Sequence, residues 1–275
     1  MKLGKFEIHA VSDGSFLLDG GQMFGVVPKT LWQKRIPADP QNRIRMSLTC
    51  LLIQAGGKNI LVDTGIGDKF DAKFLGIYGV EHSRSLPEEL RKLGLGPEDI
   101  DIVINTHLHF DHCGWNASRV DGKLAPTFPR ARYFVQRGEW EHAQHPTERD
   151  RASYVEEWFL PVERQMELVE GAAEIVPGVQ VEIASGHTRN LQCVRVVSEG
   201  ETAFFISDLV PTTAHLPYPW IMSFDLYPLE TLANKKRLLP ELIAAKALVV
   251  FPHDPGIPWA HLIETEGRIS AVPAE

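Results

Sequence analysis

Four side chains that could bind a metal occur within six residues of one segment. The segment is Thr106-His107-Leu108-His109-Phe110-Asp111-His112-Cys113-Gly114. Imidazole and carboxylate groups suit zinc and related divalent cations. Alternation along the chain directs His107 and His109 to one side and Asp111 and His112 to another, so that one loop can serve two metals. This HxHxDH cluster therefore predicts a metal site.

Two metals need more than four protein ligands, and three further candidates follow apolar runs. His187 comes shortly after the run that ends at Ile183, Asp208 follows the apolar residues 203–206, and His253 follows residues 248–251. Each of the three alone has an ordinary interpretation, such as a helix cap or a loop residue. Because the same pattern of a strand followed by a ligand occurs three times, we interpret all three as metal ligands.

Short apolar runs between turn residues indicate the elements that position these ligands. Buried or half-buried strands are predicted at 101–105, 132–136, 179–183 and 247–251, and glycine turns predict hairpins over 49–63 and 191–206. Helices are predicted over 86–94 and 229–245, the second kinked or broken at Pro240. Strand pairs interleaved with helices predict a layered α/β fold with mixed sheets. No proline-rich linker divides the chain, so one domain is expected over residues 1–275.

Composition narrows the class of protein and its partners. The 275 residues include 36 acids, 28 bases, 11 histidines and 3 cysteines, with a formal net charge of −8. This balance disfavours nucleic acid or an anionic membrane as the main partner. The widely spaced cysteines provide no disulfide framework. No apolar run approaches the length of a membrane span and the first residues lack an apolar signal segment, so a cytoplasmic protein is expected.

The motifs together resemble those of the metallo-β-lactamase superfamily over almost the whole chain. The matching positions are Asp63 in Val62-Asp63-Thr64-Gly65, the HxHxDH cluster, His187, Asp208 and His253. The resemblance implies a four-layer αβ/βα sandwich with two mixed β-sheets. It also implies two divalent metal ions, with zinc expected and manganese, cobalt or iron able to accept the same ligands.

The resemblance also assigns roles to these residues. One metal is bound by His107, His109 and His187, the other by Asp111, His112 and His253, and Asp208 bridges the two. Asp63 orients a ligand or the loop without touching a metal. A turn at the strand end explains Asp63 equally well.

The ligand set favours some branches of the superfamily over others. The di-iron electron-transfer members carry an acid at the position of His109, so the histidine there favours zinc-type hydrolysis. Asp208 at the bridging position resembles the lactonase, glyoxalase II and phosphodiesterase branches. True β-lactamases usually lack the bridging aspartate, and they need an export signal, which the first residues of this chain do not show. The chain is therefore a poor match to that branch. Only 22 residues follow His253, which leaves no room for the helical domain of glyoxalase II. The acidic charge makes a relative that processes transfer RNA a poor match.

Residues 18–32 resemble the N-terminal loop of quorum-quenching lactonases of the YtnP type, where such loops help to roof the pocket. Met23 and Phe24 are then expected to contact substrate, although a core or dimer contact explains them equally well. Residues 209–220 are expected to form the opposite wall. Better-known acyl-homoserine lactonases have a substrate-binding tyrosine three residues after the bridging aspartate, where this chain has Pro211. Tyr218, Tyr227 or His215 could replace it.

The expected reaction is the opening of a lactone ring, in a substrate resembling an N-acyl homoserine lactone, by a hydroxide that bridges two metals. Asp111 is the expected catalytic residue, which carries the proton to the leaving alkoxide. A phosphotriesterase or arylesterase is the alternative enzyme, and a non-catalytic metal-binding scaffold is the alternative outside catalysis. The expected partner is a small neutral or apolar substrate rather than nucleic acid or a membrane, and a homodimer is left open.

Overall fold

The computed structural model describes residues 1–274 of the chain. The strands of the first half are β1 (Lys2–Leu3), β2 (Phe6–Asp19), β3 (Arg43–Ala55), β4 (Lys58–Val62), β5 (Ile102–Ile104), β6 (Ala117–Val120), β7 (Lys123–Pro126), β8 (Arg132–Gln136) and β9 (Met166–Val169). Those of the second half are β10 (Ala173–Val176), β11 (Val179–Ile183), β12 (Gln192–Ser198), β13 (Glu201–Phe205), β14 (Leu248–Val250), β15 (Trp259–Thr265) and β16 (Arg268–Pro273). The helices are α1 (Gly20–Phe24), α2 (Lys29–Trp32), α3 (Ala72–Tyr78), α4 (Leu86–Lys92), α5 (Arg137–Gln144), α6 (Glu156–Phe159) and α7 (Pro228–Ala244).

The strands form two seven-stranded sheets and one two-stranded ribbon. The first sheet has the order β1-β2-β3-β4-β5-β8-β9, the second runs β10 to β16 in chain order, and β6 pairs with β7. Both large sheets are mixed: β4, β5, β8 and β9 are parallel in the first, and β13 and β14 are parallel in the second. The predicted mixed sheets are therefore confirmed.

Successive residues of the central strands point to opposite faces of their sheet and pack in different cores. These cores define the layers of the fold. Leu51 of β3 packs between the two sheets with Val194 of β12, whereas Leu52 faces outward against the side of Leu90 on α4. Phe204 of β13 faces the opposite outer side, against α7. The successive layers are α4, first sheet, second sheet and α7. This arrangement is the four-layer αβ/βα sandwich that the family resemblance implied.

The carboxyl ends of the parallel strands position the candidate ligands. Asp63 follows β4 and the HxHxDH segment follows β5, while Asp208 and His253 follow β13 and β14. Each pair of strands is parallel, so the segments that leave it emerge at one edge of its sheet. His187 lies in the turn after β11. Both sheets thus deliver polar side chains to one end of the sandwich.

The structure refines two local predictions. Helix α7 runs from Pro228 to Ala244, so Pro240 does not break it. Residues 18–32, expected as an N-terminal loop, contain the short helices α1 and α2. The helix over 86–94 and both predicted hairpins are confirmed, with turns at Gly56-Gly57 and Glu199-Gly200. Within residues 1–274, none of the helices combines the length and the apolar character that crossing a membrane requires.

Candidate metal centre and active site

The structure brings the seven predicted ligands together as two overlapping groups. In each of three sets the ligand atoms lie within 4.8 Å of one another: His107 with His109 and His187; His107 with His112 and Asp208; and Asp111 with His112 and His253. All seven are buried except Asp111, whose side chain is 11% exposed. The first and third sets contain the residues that the family resemblance assigned to the two metals, and the second set joins one histidine of each to Asp208.

Asp208 lies between the two clusters and presents one oxygen to each. Its Oδ2 is 3.3 Å from Nε2 of His187, and its Oδ1 is 3.2 Å from Nε2 of His253 and 3.5 Å from Nε2 of His112. A carboxylate with this placement has the geometry that a bridging ligand requires.

Four of the imidazoles contact a protein oxygen through the ring nitrogen that faces away from the clusters. Nδ1 of His112 is 2.8 Å from Asp63, and Nδ1 of His187 is 3.1 Å from Asp225. Nδ1 of His253 is 2.8 Å from the carbonyl of Ser47, and Nδ1 of His107 is 3.1 Å from the hydroxyl of Thr106. Such contacts fix the ring orientation and the tautomer of metal-binding histidines.

The cluster contains buried polar atoms that nothing in residues 1–274 satisfies. Nε2 of His107, Nε2 of His109 and Oδ1 of Asp208 have no hydrogen-bond partner. Unpaired polar atoms in a protein interior are costly. Divalent cations coordinated by Nε2 of His107 and Oδ1 of Asp208 would satisfy these two atoms, whereas His109 faces the cluster through Nδ1, 3.0 Å from Nε2 of His187. The residues present therefore fit a pair of metal ions.

Burial and mutual charge shift the pKa values across the cluster. Burial and the neighbouring imidazoles hold the pKa of His107 and His109 well below the usual range. Burial also opposes protonation of His112, but nearby carboxylates, led by Asp208, raise its pKa well above the usual range. Burial disfavours the charged form of Asp208, yet His253 and the other imidazoles hold its pKa well below the usual range. These charges favour the carboxylate form of Asp208, the form that a metal ligand requires.

The backbone is strained where two of these segments leave their strands. Asp63 has a φ of +56° and Ser207 has a φ of +52°, both in the left-handed region that disfavours side-chain-bearing residues. Asp63 accepts hydrogen bonds from the N–H and the hydroxyl of Thr106, and that hydroxyl accepts one from Ser207. Asp63 therefore combines both predicted properties, a turn at the strand end and a contact with a ligand.

A cavity of about 1000 Å³ opens over the clusters. His109, Asp111, His187, Asp208 and His253 lie on its floor. Apolar side chains form most of its walls, namely Leu17, Leu18, Met23, Val26, Ile77, Phe110, Ile221, Met222, Phe224, Leu226, Leu229 and Leu232. The clusters are therefore accessible to a small molecule from one side.

One of the four expected substrate contacts lies in the cavity wall. Met23 lines the cavity, whereas Phe24, His215 and Tyr218 do not. Helix α1 turns Phe24 inward, where its ring stacks on Trp32 at 5.2 Å and on His215 at 4.5 Å. Nε2 of His215 contacts the carbonyl of Met23 at 2.8 Å, so this stack holds the wall from behind.

The expected opposite wall is displaced along the chain. Tyr218 packs on the outer face of the second sheet, beside α7. Within the predicted stretch 209–220, Pro219 lines the cavity, and the wall continues through residues 221–229. Tyr227 lies outside the cavity under the guanidinium of Arg189, 3.9 Å from its ring centroid.

Sequence reasoning missed several residues around the site. Asp225, which orients His187, lies in an irregular segment and carries no local signal. Tyr78 lines the cavity. The i, i+4 spacing of Phe74 and Tyr78 could have identified an aromatic face of helix α3. Lys235 is fully buried beneath the 215–220 segment, a position that helical periodicity alone does not reveal.

Comparison with known proteins agrees with this architecture. A family model described as the metallo-beta-lactamase superfamily matches residues 45–257. An N-acyl homoserine lactonase of Bacillus cereus is 30% identical over 233 residues, which cover 78% of this chain and 84% of that protein. A solved structure of a probable metal-dependent hydrolase from Staphylococcus aureus is 32% identical, with a TM-score of 0.94 over 100% of this chain and 99% of that chain.

A second solved structure contains a ligand. It is an N-acyl homoserine lactone hydrolase with the product N-hexanoyl-L-homoserine bound at its catalytic metal center, 25% identical, with a TM-score of 0.71 over 93% of this chain and 95% of that chain. The fold, the clustered ligands and the family match together define a metal-dependent hydrolase. The chain belongs to the metallo-β-lactamase superfamily.

Proposed function

We propose that this protein is a binuclear metal-dependent hydrolase that opens the lactone ring of substrates resembling N-acyl homoserine lactones. One observation carries the proposal: two ligand clusters that share Asp208 form the floor of a cavity with mostly apolar walls. An accessible site for two cations is suited to hydrolysis rather than to structural support. The similarity to curated lactonases supports this choice of reaction.

In this proposal one cation is held by His107, His109 and His187, the other by Asp111, His112 and His253, and Asp208 contacts both. When bound, two such cations supply a water of lowered pKa as the nucleophile and polarise the ester carbonyl. Zinc is the expected metal, because imidazole and carboxylate ligands suit it.

The side chains around the clusters orient these groups and move the proton. Asp63 and Asp225 fix the orientation of the rings of His112 and His187. Asp111 is the partly exposed carboxylate at the floor, with Oδ2 3.5 Å from Nε2 of His253. We assign to Asp111 the transfer of a proton to the oxygen that leaves when the ring opens.

The walls support a substrate with an apolar substituent. Three large apolar side chains that line the cavity are strongly exposed at its mouth: Val26 is 91%, Leu229 79% and Ile77 52% exposed. They come from three separate elements, so the apolar surface surrounds the opening. An acyl chain that leaves the cavity here would cover them, which favours a neutral, partly apolar substrate over a polyanion.

A substrate panel tests the proposal. Zinc-loaded protein is assayed with N-hexanoyl homoserine lactone, γ-caprolactone, phenyl acetate and paraoxon, and kcat/KM is compared. We expect the acyl-homoserine lactone to give the highest value and both lactones to be hydrolysed. A higher value for paraoxon or phenyl acetate would identify a phosphotriesterase or an arylesterase instead.

A matched pair of variants assigns the activity to this site. Asp208→Asn retains the size of the side chain but removes the anionic charge between the clusters, so we expect at least about a hundredfold loss of kcat. The control is Asp101→Asn, at the opposite end of β5, where the carboxylate binds Lys58 and the N–H of Asn59. Equal activity in the two variants would place the reaction elsewhere.

A further inference from the structure

Tyr78 lines the cavity and carries a hydroxyl group that the contacts among residues 1–274 leave unused. Among residues 1–274 it is the tyrosine that lines this cavity, and its hydroxyl forms no hydrogen bond with any of them. The hydroxyls of the two most buried tyrosines are occupied: Tyr133 donates to the carbonyl of Asn116, and Tyr154 donates to Glu139. Tyr78 therefore presents a free hydrogen-bond donor to whatever occupies the cavity.

The ring of Tyr78 is held in place by aromatic neighbours. Its centroid lies 4.5 Å from that of Phe74 and 4.9 Å from that of Phe110, which stands between two candidate metal ligands in the chain. Both contacts are tilted, with interplanar angles of 46° and 52°, and such aromatic contacts stabilise the position of the ring. The ring therefore packs against the segment that carries His109 and Asp111.

The end of helix α3 is also fixed. Gly79 ends the helix with a φ of +50° and donates its N–H to the carbonyl of Leu75. A Cβ at this position would lie 2.8 Å from Leu17, another residue of the cavity wall. The close packing at Gly79 leaves little freedom to the residue before it.

Two guanidinium groups that line the cavity are anchored to protein oxygens. Arg43 donates to Asp39 through Nε, and Arg149 donates to the carbonyl of Ser223. The imidazoles of the floor are assigned to the metals. Burial raises the pKa of the Tyr78 phenol, and the charge of Asp111 raises it further, so the hydroxyl keeps its proton. Tyr78 thus has a donor without a protein partner in the cavity whose floor carries Asp111.

We propose that Tyr78 donates a hydrogen bond to the scissile carbonyl oxygen of the substrate, the oxygen on which negative charge develops during attack. Tyr78 is thus a catalytic residue contributed by helix α3. Three residues after Asp208, where the better-known lactonases have a tyrosine, this chain has Pro211. This inference rests on the proposed lactone hydrolysis. A preorganised donor at the developing oxyanion stabilises the transition state more than the bound substrate.

The test compares Tyr78→Phe with Tyr227→Phe, which removes a phenol that lies outside the cavity. Both zinc-loaded variants are assayed with N-hexanoyl homoserine lactone and with γ-caprolactone, which has the scissile ester but no amide. We expect Tyr78→Phe to lower kcat about tenfold to a hundredfold on both substrates, with a smaller change in KM. Tyr227→Phe is expected to stay within about twofold of the wild type.

Two further measurements separate this role from a structural one. The Tm and the zinc content of Tyr78→Phe are expected to equal those of the wild type, and the Kd of the ring-opened product N-hexanoyl homoserine, measured by calorimetry, is expected to rise. Unchanged kcat on both substrates, or a loss on the amide-bearing substrate alone, would overturn the assignment to the scissile carbonyl. If the wild type neither hydrolyses the lactones nor binds the product, the proposed function fails, and the role of Tyr78 fails with it.

Discussion

His187 of the candidate metal centre is contacted by protein atoms at both ring nitrogens. One nitrogen of His187 faces His109 at 3.0 Å, and the other faces Asp225 at 3.1 Å. Asp225 is itself fixed, because Thr231 donates a hydrogen bond to its second oxygen. The orientation of His187 is therefore determined by protein contacts before any metal binds.

The first prediction concerns Asp225. Replacement by Asn keeps the size of the side chain but removes the negative charge that favours an N–H at Nδ1 of His187. We expect the affinity for one of the two metals to fall about tenfold to a hundredfold. Zinc affinity is measured by competition with a chromophoric chelator, with Asp101→Asn as the control. Equal affinities in the two variants would show that Asp225 does not support the site.

The ionisation of Asp150 makes the stability of the fold depend on pH. Its carboxylate accepts hydrogen bonds from the N–H and the hydroxyl of Thr147 and lies 2.5 Å from Nε2 of His142. Burial opposes ionisation, but these hydrogen bonds outweigh it and lower the pKa of Asp150. The carboxylate of Asp150 therefore takes up a proton at a higher pH in the unfolded chain than in the folded chain. The stabilisation is therefore present above about pH 4 and is lost as the pH falls through the folded pKa.

The second prediction follows from the lowered pKa of Asp150 in the folded protein. We expect Asp150→Asn to have a lower Tm than the wild type at pH 6, and the difference to shrink as the pH falls from 5 to 3. Thermal unfolding is followed by circular dichroism, and subtracting the two curves at each pH removes effects that both proteins share. A difference that stays constant or grows toward low pH would contradict the role of this carboxylate.

At the scale of elements, helix α7 holds the segment that leads into one cavity wall. The ammonium group of Lys235 is buried and donates to the carbonyls of His215, Pro217, Tyr218 and Trp220, at 2.6 to 3.3 Å. Burial lowers the pKa of Lys235 to about 7, and Asp225 opposes this change. A single side chain thus supplies the hydrogen-bond donors for an irregular segment.

The third prediction is that Lys235→Met destabilises the fold, because methionine fills the space but leaves these carbonyls without donors. We expect a loss of about 2–4 kcal/mol in the free energy of unfolding, measured in urea. The control is Lys236→Met, the next residue on the exposed side of α7. A loss below about 0.5 kcal/mol for Lys235→Met would show that the carbonyls are satisfied in another way.

The two cavity walls are also connected to each other. The N–H of Ser223 donates to the carbonyl of Gln22, and Gly25 ends α1 with a φ of +56°. A Cβ at Gly25 would lie 2.4 Å from the carbonyl oxygen of Ile221. The close approach of these backbones requires glycine, and it joins the N-terminal helices to the segment held by Lys235.

At the scale of the molecule, the site depends on both sheets. The HxHxDH segment comes from the first sheet, whereas His187, Asp208 and His253 come from the second. The ligands meet only when the two sheets pack through their shared apolar core. Metal binding is therefore expected to stabilise the packing of one sheet on the other.

The sequence predicted the parts of the site that local patterns encode. A strand followed directly by a ligand is visible in the chain for His107, Asp208 and His253, and the parallel order of the strands then brings them together. Asp225 and Tyr78 were missed because their roles depend on how irregular segments and a short helix pack onto the site. Phe24 was expected at the substrate because its apolar character is visible in the sequence, whereas the rotation of α1 that buries it is not.

The central claim is that two metal ions bound at the seven-residue cluster open a lactone ring. The most direct test is to add zinc stepwise to chelator-treated protein and to follow the acid released from N-hexanoyl homoserine lactone with a pH indicator. We predict that the rate rises until two zinc ions are bound per chain and that Asp208→Asn stays inactive throughout. Full activity in the chelator-treated protein, or no hydrolysis with two zinc ions bound, would contradict this account.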